Sequence, residues 1–166
     1  MDESGVNLAQ TRLYGRAPSN ERVNGYVPDA RFERKTILAS LKLNGQMSSL
    51  LFSGTLNGKL FIQYIKQFLS QILKAGDIVI LDNCAAHKVA GVKEAIEACG
   101  AKVLYLPAYS PDFNPVELLW SKVKAILKKE KPRTFEALEK ALKLALDSVS
   151  VDDVVGWFKH CGYYAC

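Results

Sequence analysis

The chain has no run of 18 apolar residues, the length a bilayer-spanning helix needs, and no charged-then-apolar segment at its start of the kind that directs export. A soluble, intracellular protein is the expectation. Cysteine is sparse: Cys84, Cys99, Cys161 and Cys166 show no C-x-x-C pairing, and 166 residues build a core without cross-links. Reduced thiols follow, because a zinc site from His160, Cys161 and Cys166 matches no usual ligand spacing. Internal repeats and low-complexity tracts are also absent, which excludes solenoids and disordered chains. With 49% hydrophobic residues, this is one ordinary α/β domain.

Negative charge is in deficit. The net charge is +5, and residues 121–133 (SKVKAILKKEKPR) alone carry that surplus through Lys122, Lys124, Lys128, Lys129, Lys131 and Arg133 against Glu130. Such a run fits a polyanionic partner, and equally the solvated outer face of an amphipathic helix.

One stretch organises the rest. Residues 101–106 read as a buried strand, and Tyr109-Ser110-Pro111-Asp112-Phe113-Asn114-Pro115-Val116-Glu117 then opens a helix over 113–130. Asn114 caps it, Pro115 suits the first position because it lacks an N–H to orphan, and Glu117 falls in the first turn. Val116, Leu119, Trp120, Val123, Ile126 and Leu127 form its inward stripe. An earlier strand, Ile78–Leu81, ends at Asp82, and 34 residues separate Asp82 from Glu117, room for one helix, one strand and a loop. Two acids at the C-terminal ends of successive units face the crevice where open α/β sheets bind ligands. Asp2 is the candidate third acid.

The remaining chain fills in a β-β-α-β-α-β-α-α-α order, with a further strand expected just before Asp2. Residues 35–43 and 46–53 form a hairpin across Asn44-Gly45. Helices are expected over 58–74, stopping at Gly76, over 88–99 with Val89 and Val92 inward, from Thr134, and over 151–160. Tyr64 and Phe68 belong to the core. Residues 4–34 show little periodicity and carry Arg12, Arg16, Arg22, Arg31 and Arg34, so they read as a long functional loop, with Arg12 and Arg16 placed to meet phosphates, or as an ordinary loop with surface arginines.

Together, Asp2-Glu3-Ser4-Gly5, Leu13–Pro18, Leu81-Asp82-Asn83 with His87, and the Leu104–Pro107 and Tyr109–Glu117 strings with Trp120 resemble the catalytic domain of bacterial insertion-sequence transposases of the mariner superfamily. The resemblance implies an RNase H-like mixed sheet flanked by helices. It implies Asp2, Asp82 and Glu117 as catalytic ligands of two Mg²⁺ or Mn²⁺ ions, with Asn83, His87 and Asn114 around them. It further implies double-stranded DNA as partner, held by Arg12, Arg16, Lys122, Lys124, Lys128 and Lys129, a homodimer, and a place at the bacterial nucleoid. Hard divalent ions prefer such oxygen ligands, and a pair of them about 3.5–4 Å apart suits phosphodiester chemistry.

Singly, each acid has a plainer reading: Glu117 as half of a capping pair, Asp82 as a turn residue, Asp2 as a terminus. The family places a strand before its first Asp and a helix-turn-helix region before that. This sequence shows neither, so the expectation is a truncated first strand, leaving a slot between the hairpin and Ile78–Leu81 that another segment fills, that an intermolecular strand exchange fills, or that leaves poor order around Asp2. Alternatives are an inactive remnant that binds DNA or self-associates, and a nuclease without strand transfer.

Overall fold

The computed structural model describes residues 1–29 and 32–163, so Arg31 and Cys166 lie outside the described residues. Strands β1 (Asp2–Val6), β2 (Lys35–Leu41) and β3 (Met47–Ser53) form one antiparallel sheet in the order β1-β2-β3. Strands β4 (Ile78–Leu81) and β5 (Lys102–Tyr105) form a parallel pair. The hairpin turns where expected: Gly45 takes φ 85°, a conformation open to glycine, and its N–H reaches Lys42 O at 2.9 Å.

Helices cover both faces of the sheet, because neighbouring residues of β2 point opposite ways. Ile37 and Ala39 pack with Val6 against α3 (Pro115–Glu130), α4 (Phe135–Asp147) and α5 (Val151–His160). Leu38 packs on the other side with Phe61, Tyr64 and Ile65 of α1 (Gly58–Gln67), Val92 and Ile96 of α2 (Val92–Glu97), and Val79 and Leu81 of β4. Leu119, Val123 and Leu127 of α3 are buried, as their spacing requires. Asn114 Oδ1 accepts from Val116 N at 3.3 Å, and Thr134 Oγ1 from Ala137 N at 3.2 Å, so both helix starts are capped by the residues the sequence offers. Among the described residues no helix is long and apolar enough to cross a membrane, and Cys84, Cys99 and Cys161 are free thiols.

Several expectations are corrected. The strand that carries Asp2 runs on from it to Val6. Asp2 pairs with Ala39 and stands in a regular ladder, well placed at the start of β1 rather than at a strand's end. The expected slot is present in part. Among the described residues the backbones of the two sheets share one hydrogen bond, from Met1 N to Ile80 O at 3.2 Å, and a groove of about 380 Å³ lies between Ser40–Leu43 and Asp77–Ile80, its sides joined by the Lys42–Asp77 ion pair at 2.6 Å. Helix α1 ends at Gln67 and passes into a 3₁₀ turn at Leu69–Gln71. The 88–99 helix starts only at Val92, because Gly91 adopts φ 95°, and Val89 is exposed. Strand β5 is an edge strand with Leu104 nearly half exposed, so its apolar run does not mean full burial.

Two polar features tie the layers. The buried Tyr64 hydroxyl donates to Ser48 O at 2.8 Å and meets Ser48 Oγ at 2.9 Å and Ser40 Oγ at 3.1 Å, joining α1 to β2 and β3. Lys122 of α3 reaches Asp153 at 2.6 Å while Asp153 also closes a capping box with Ser150, pinning α5 to α3. Hydrogen bonds from Lys122 and Ser150 pull the Asp153 carboxyl down to about 2.

Tyr64→Phe keeps the ring but orphans buried Ser40, so urea unfolding should register a loss of about 1–3 kcal/mol; an unchanged midpoint would mean that the hydroxyl contributes nothing. Because its folded pKa is depressed, Asp153 contributes stability that is full above pH 4 and lost as pH falls through 2. Thermal melts of Asp153→Asn should therefore show a shallower decline between pH 4 and 2 than wild type.

Candidate active site

Adjacent residues of β1 send two acids to opposite faces of the sheet. Asp2 lies on the face shared with Val6 and α3, and is buried; Glu3 faces the side of α1. Asp82 follows β4 directly, and Glu117 sits exposed in the first turn of α3.

Asp82 is held from within. Its Oδ1 accepts from Cys84 N at 3.0 Å and makes a short contact with His87 Nδ1. His87 is fully buried in a 3₁₀ turn at Ala85–Lys88, its ring 4.3 Å from the Phe61 ring and its carbonyl receiving the Tyr105 hydroxyl at 3.0 Å. The other ring nitrogen, Nε2, lies 3.2 Å from Glu3 Oε2, within ion-pair range though not aligned as a hydrogen bond. Desolvation disfavours the imidazolium here, but Asp82 and Glu3 outweigh it and raise its pKa to about 9. Against its own desolvation, the hydrogen bonds from His87 and Cys84 hold Asp82 below the usual carboxylate range. Among the described residues, Asp82 Oδ2 carries no hydrogen bond.

Asp82 and Glu117 line one open crevice of about 460 Å³, with Asn83, Tyr109 and buried Asn114. Asp2 is coupled to it electrically. Burial first, then the charges of Glu117 and Glu3, push its carboxyl up to about 7 although Glu3 N donates to it at 2.7 Å. The Met1 nitrogen is within electrostatic range of both Asp2 and Asp82. Among the described residues no three acidic, histidine or cysteine side chains already form a ligand cluster. The donors nonetheless suit a hard divalent cation: they are carboxylate oxygens, one is free on Asp82, and their mutual repulsion is the kind a cation relieves.

The basic residues divide. Arg12, Lys124 and Lys128 meet around one shallow cleft with Ser121. Arg133 brings this about: its guanidinium donates to Leu8 O at 2.7 Å, Gln10 O at 3.0 Å and Thr11 Oγ1 at 2.7 Å, clamping the chain that leads into Arg12. Arg16 and Lys129 are exposed outside that cleft, whereas Lys122 is committed to Asp153 and Ser148 O. Sequence reasoning placed Arg133 among the surface charges and passed over Glu3. The signal for Glu3 was its position next to Asp2, since neighbours on a strand face opposite ways.

The family model described as a DDE superfamily endonuclease matches residues 1–139. The chain belongs to that family. No curated protein matches. Among solved structures, a Mos1 transposase paired-end complex with the left transposon end superposes with a TM-score of 0.78 at 18% identity, covering 95% of this chain and 50% of that one. The Mos1 strand transfer complex gives 0.77 at 18% identity, covering 95% and 49%. The Mos1 catalytic domain with raltegravir and Mg gives 0.65 at 18%, covering 76% and 69%. The likeness establishes the RNase H-like fold of this DDE domain, and the chain spans about half the length of the Mos1 chains in the first two complexes.

His87→Ala should cost this DDE domain about 1.5–3 kcal/mol in urea unfolding, the range for a hydrogen bond to a charged group, and Glu3→Gln less, because the amide keeps the contact without the charge. Wild-type stability in both variants would mean that the Glu3–His87–Asp82 chain does not hold the site.

Proposed function

We propose that this DDE domain is the catalytic part of a DNA transposase, cutting phosphodiester bonds at the ends of an element and joining the freed 3′-OH to target DNA. The single observation behind the reading is that Asp82 and Glu117, from separate units of the chain, line one crevice. In this reading Asp2, Asp82 and Glu117 would hold two Mg²⁺ or Mn²⁺ ions. Such ions, when bound, activate an attacking oxygen and stabilise a leaving one.

The protein's own residues do the rest. His87 occupies one Asp82 oxygen and turns the other outward. Asn114 is fixed by capping α3 and borders the crevice beside Glu117. Asn83 is exposed at its rim. Arg12, Lys124 and Lys128 offer a cationic cleft to the DNA backbone, and Arg16 and Lys129 add exposed charge outside it; Lys122 is left out because Asp153 neutralises it. Double-stranded DNA is the partner, the acting unit is a homodimer that pairs two element ends, and the place of action is the nucleoid of a bacterial cell. A nuclease without strand transfer would use the same residues, and only joined donor–target product separates the two.

Asp82→Asn and Glu117→Gln should each lower Mg²⁺-dependent cleavage of plasmid DNA by at least ~10²-fold, the upper range seen when mere outer partners of a metal site are lost. Both should keep DNA affinity in filter binding. Millimolar Mg²⁺ should raise the melting temperature of wild type and not of the variants. Undiminished cleavage by either variant would overturn the assignment.

A further inference from the structure

Asn114 carries one hydrogen-bonding group that the fold does not use. Its backbone N–H donates to Pro111 O at 2.8 Å, and its carbonyl accepts from Glu117 N at 3.0 Å. In the side chain, Oδ1 accepts from Val116 N at 3.3 Å. A backbone N–H can only donate, so the atom facing Val116 is the oxygen, and the orientation of the amide is fixed: Nδ2 is turned away from the cap. Among the described residues Nδ2 has no partner, although Asn114 is only 3% exposed. Buried amides are normally satisfied, and an open one is a cost to the fold.

Capping does not call for this group. Serine caps a helix about as well as asparagine and brings no N–H₂ with it. The surroundings supply another use. Asn114 lines the crevice with Asp82 and Glu117, and neither lysine nor arginine is among the described residues that line it. A phosphate entering there meets carboxylates and no protein cation. Of the two amides at the crevice, Asn83 is exposed and open to water, whereas Asn114 is buried and held by both the 3₁₀ turn before it and the helix after it. A lysine in this place would pair with Glu117 and occupy the position that a divalent cation needs. A neutral amide donates to a phosphate oxygen without competing for the carboxylates.

We infer that Asn114 Nδ2 donates a hydrogen bond to a non-bridging oxygen of the reacting phosphodiester, so that this residue touches the substrate as well as capping α3. This rests on the reading of the crevice as a DNA-cutting site. In the cut, the oxygen of water bonds to phosphorus, one of its protons ends on the 3′ oxygen as the P–O3′ bond breaks, and the 5′ side keeps the phosphate. The non-bridging oxygens stay charged while the groups around phosphorus rearrange, and a donor fixed beforehand by the cap needs no reorganisation to meet them.

The test uses the full chain, with Mg²⁺-dependent nicking of plasmid DNA at saturating protein, filter binding and thermal melts. Asn114→Ser keeps the cap and should melt near wild type, while Asn114→Ala loses the cap and should melt lower. Both lose the amide, and both should nick about 10²-fold or more slowly, the range for one donor removed from a preorganised site, with DNA affinity unchanged. An asparagine that only caps predicts otherwise: serine active, alanine impaired.

A second measurement reads the contact itself. A duplex carrying the cleavage site mapped on the plasmid is made with sulfur in place of each non-bridging oxygen in turn at the cut bond. Sulfur accepts hydrogen bonds weakly, so the rate ratio between the two diastereomers should be about fivefold smaller in Asn114→Ser than in wild type, the scale of one hydrogen bond. That ratio is taken within one protein and does not depend on how much of it is folded. Wild-type nicking by Asn114→Ser, or the same diastereomer ratio in both proteins, overturns the contact. Wild type that does not cut plasmid DNA with Mg²⁺ defeats the crevice reading and this inference together, whereas normal cutting that is indifferent to residue 114 defeats this inference alone.

Discussion

A buried imidazole between two carboxylates holds this domain's crevice in place. Among the described residues the β1-β2-β3 sheet and the β4-β5 pair share a single backbone hydrogen bond, so backbone pairing alone leaves them weakly joined. His87 supplies a further link, beside the Lys42–Asp77 ion pair and the packing of Leu38 with Val79 and Leu81, with Asp82 of the β4 loop on one nitrogen and Glu3 of β1 near the other. Burial alone would drive its proton off; the two flanking acids keep it on. A charge in the apolar interior is tolerated only when it is paired, and here the pairing fixes the angle at which Asp82 leaves its strand.

The same strand serves the opposite face. Because side chains alternate along β1, the residue before Glu3 lies on the α3 side, where Asp2 is buried and feels the charge of Glu117. Burial first, and then the charges of Glu117 and Glu3, push the Asp2 carboxyl up to about 7. Carboxylate oxygens are the donors that a hard divalent cation takes.

Outside the crevice, long-range contacts assign roles that composition cannot. Two members of one basic run, Lys122 and Arg133, are engaged within the chain: one neutralises Asp153 and the other grips the backbone at Leu8 and Gln10. Their neighbours Lys124 and Lys128 are left to line the cleft with Arg12. A surplus of +5 thus contains cations held by partners within the chain beside cations that line an open cleft, and only the tertiary surroundings of each distinguish them.

Local chemistry determined much of this protein before any folding was considered. The hairpin at Asn44-Gly45, the start of α3 at Asn114-Pro115, the start of α4 at Thr134 and the span of α5 depend on capping, turn and period-3.6 preferences that act within a few residues, and those elements lie where the sequence placed them. The spacing of Asp82 and Glu117 likewise rested on element lengths. What the tertiary structure decided depends on contacts between distant segments: that Asp2 pairs with Ala39, that Val89 and Leu104 are exposed although apolar, that Glu3 meets His87, and that Arg133 is a clamp. Burial and charge pairing are properties of what arrives from elsewhere in the chain, and no window of neighbouring residues contains that information.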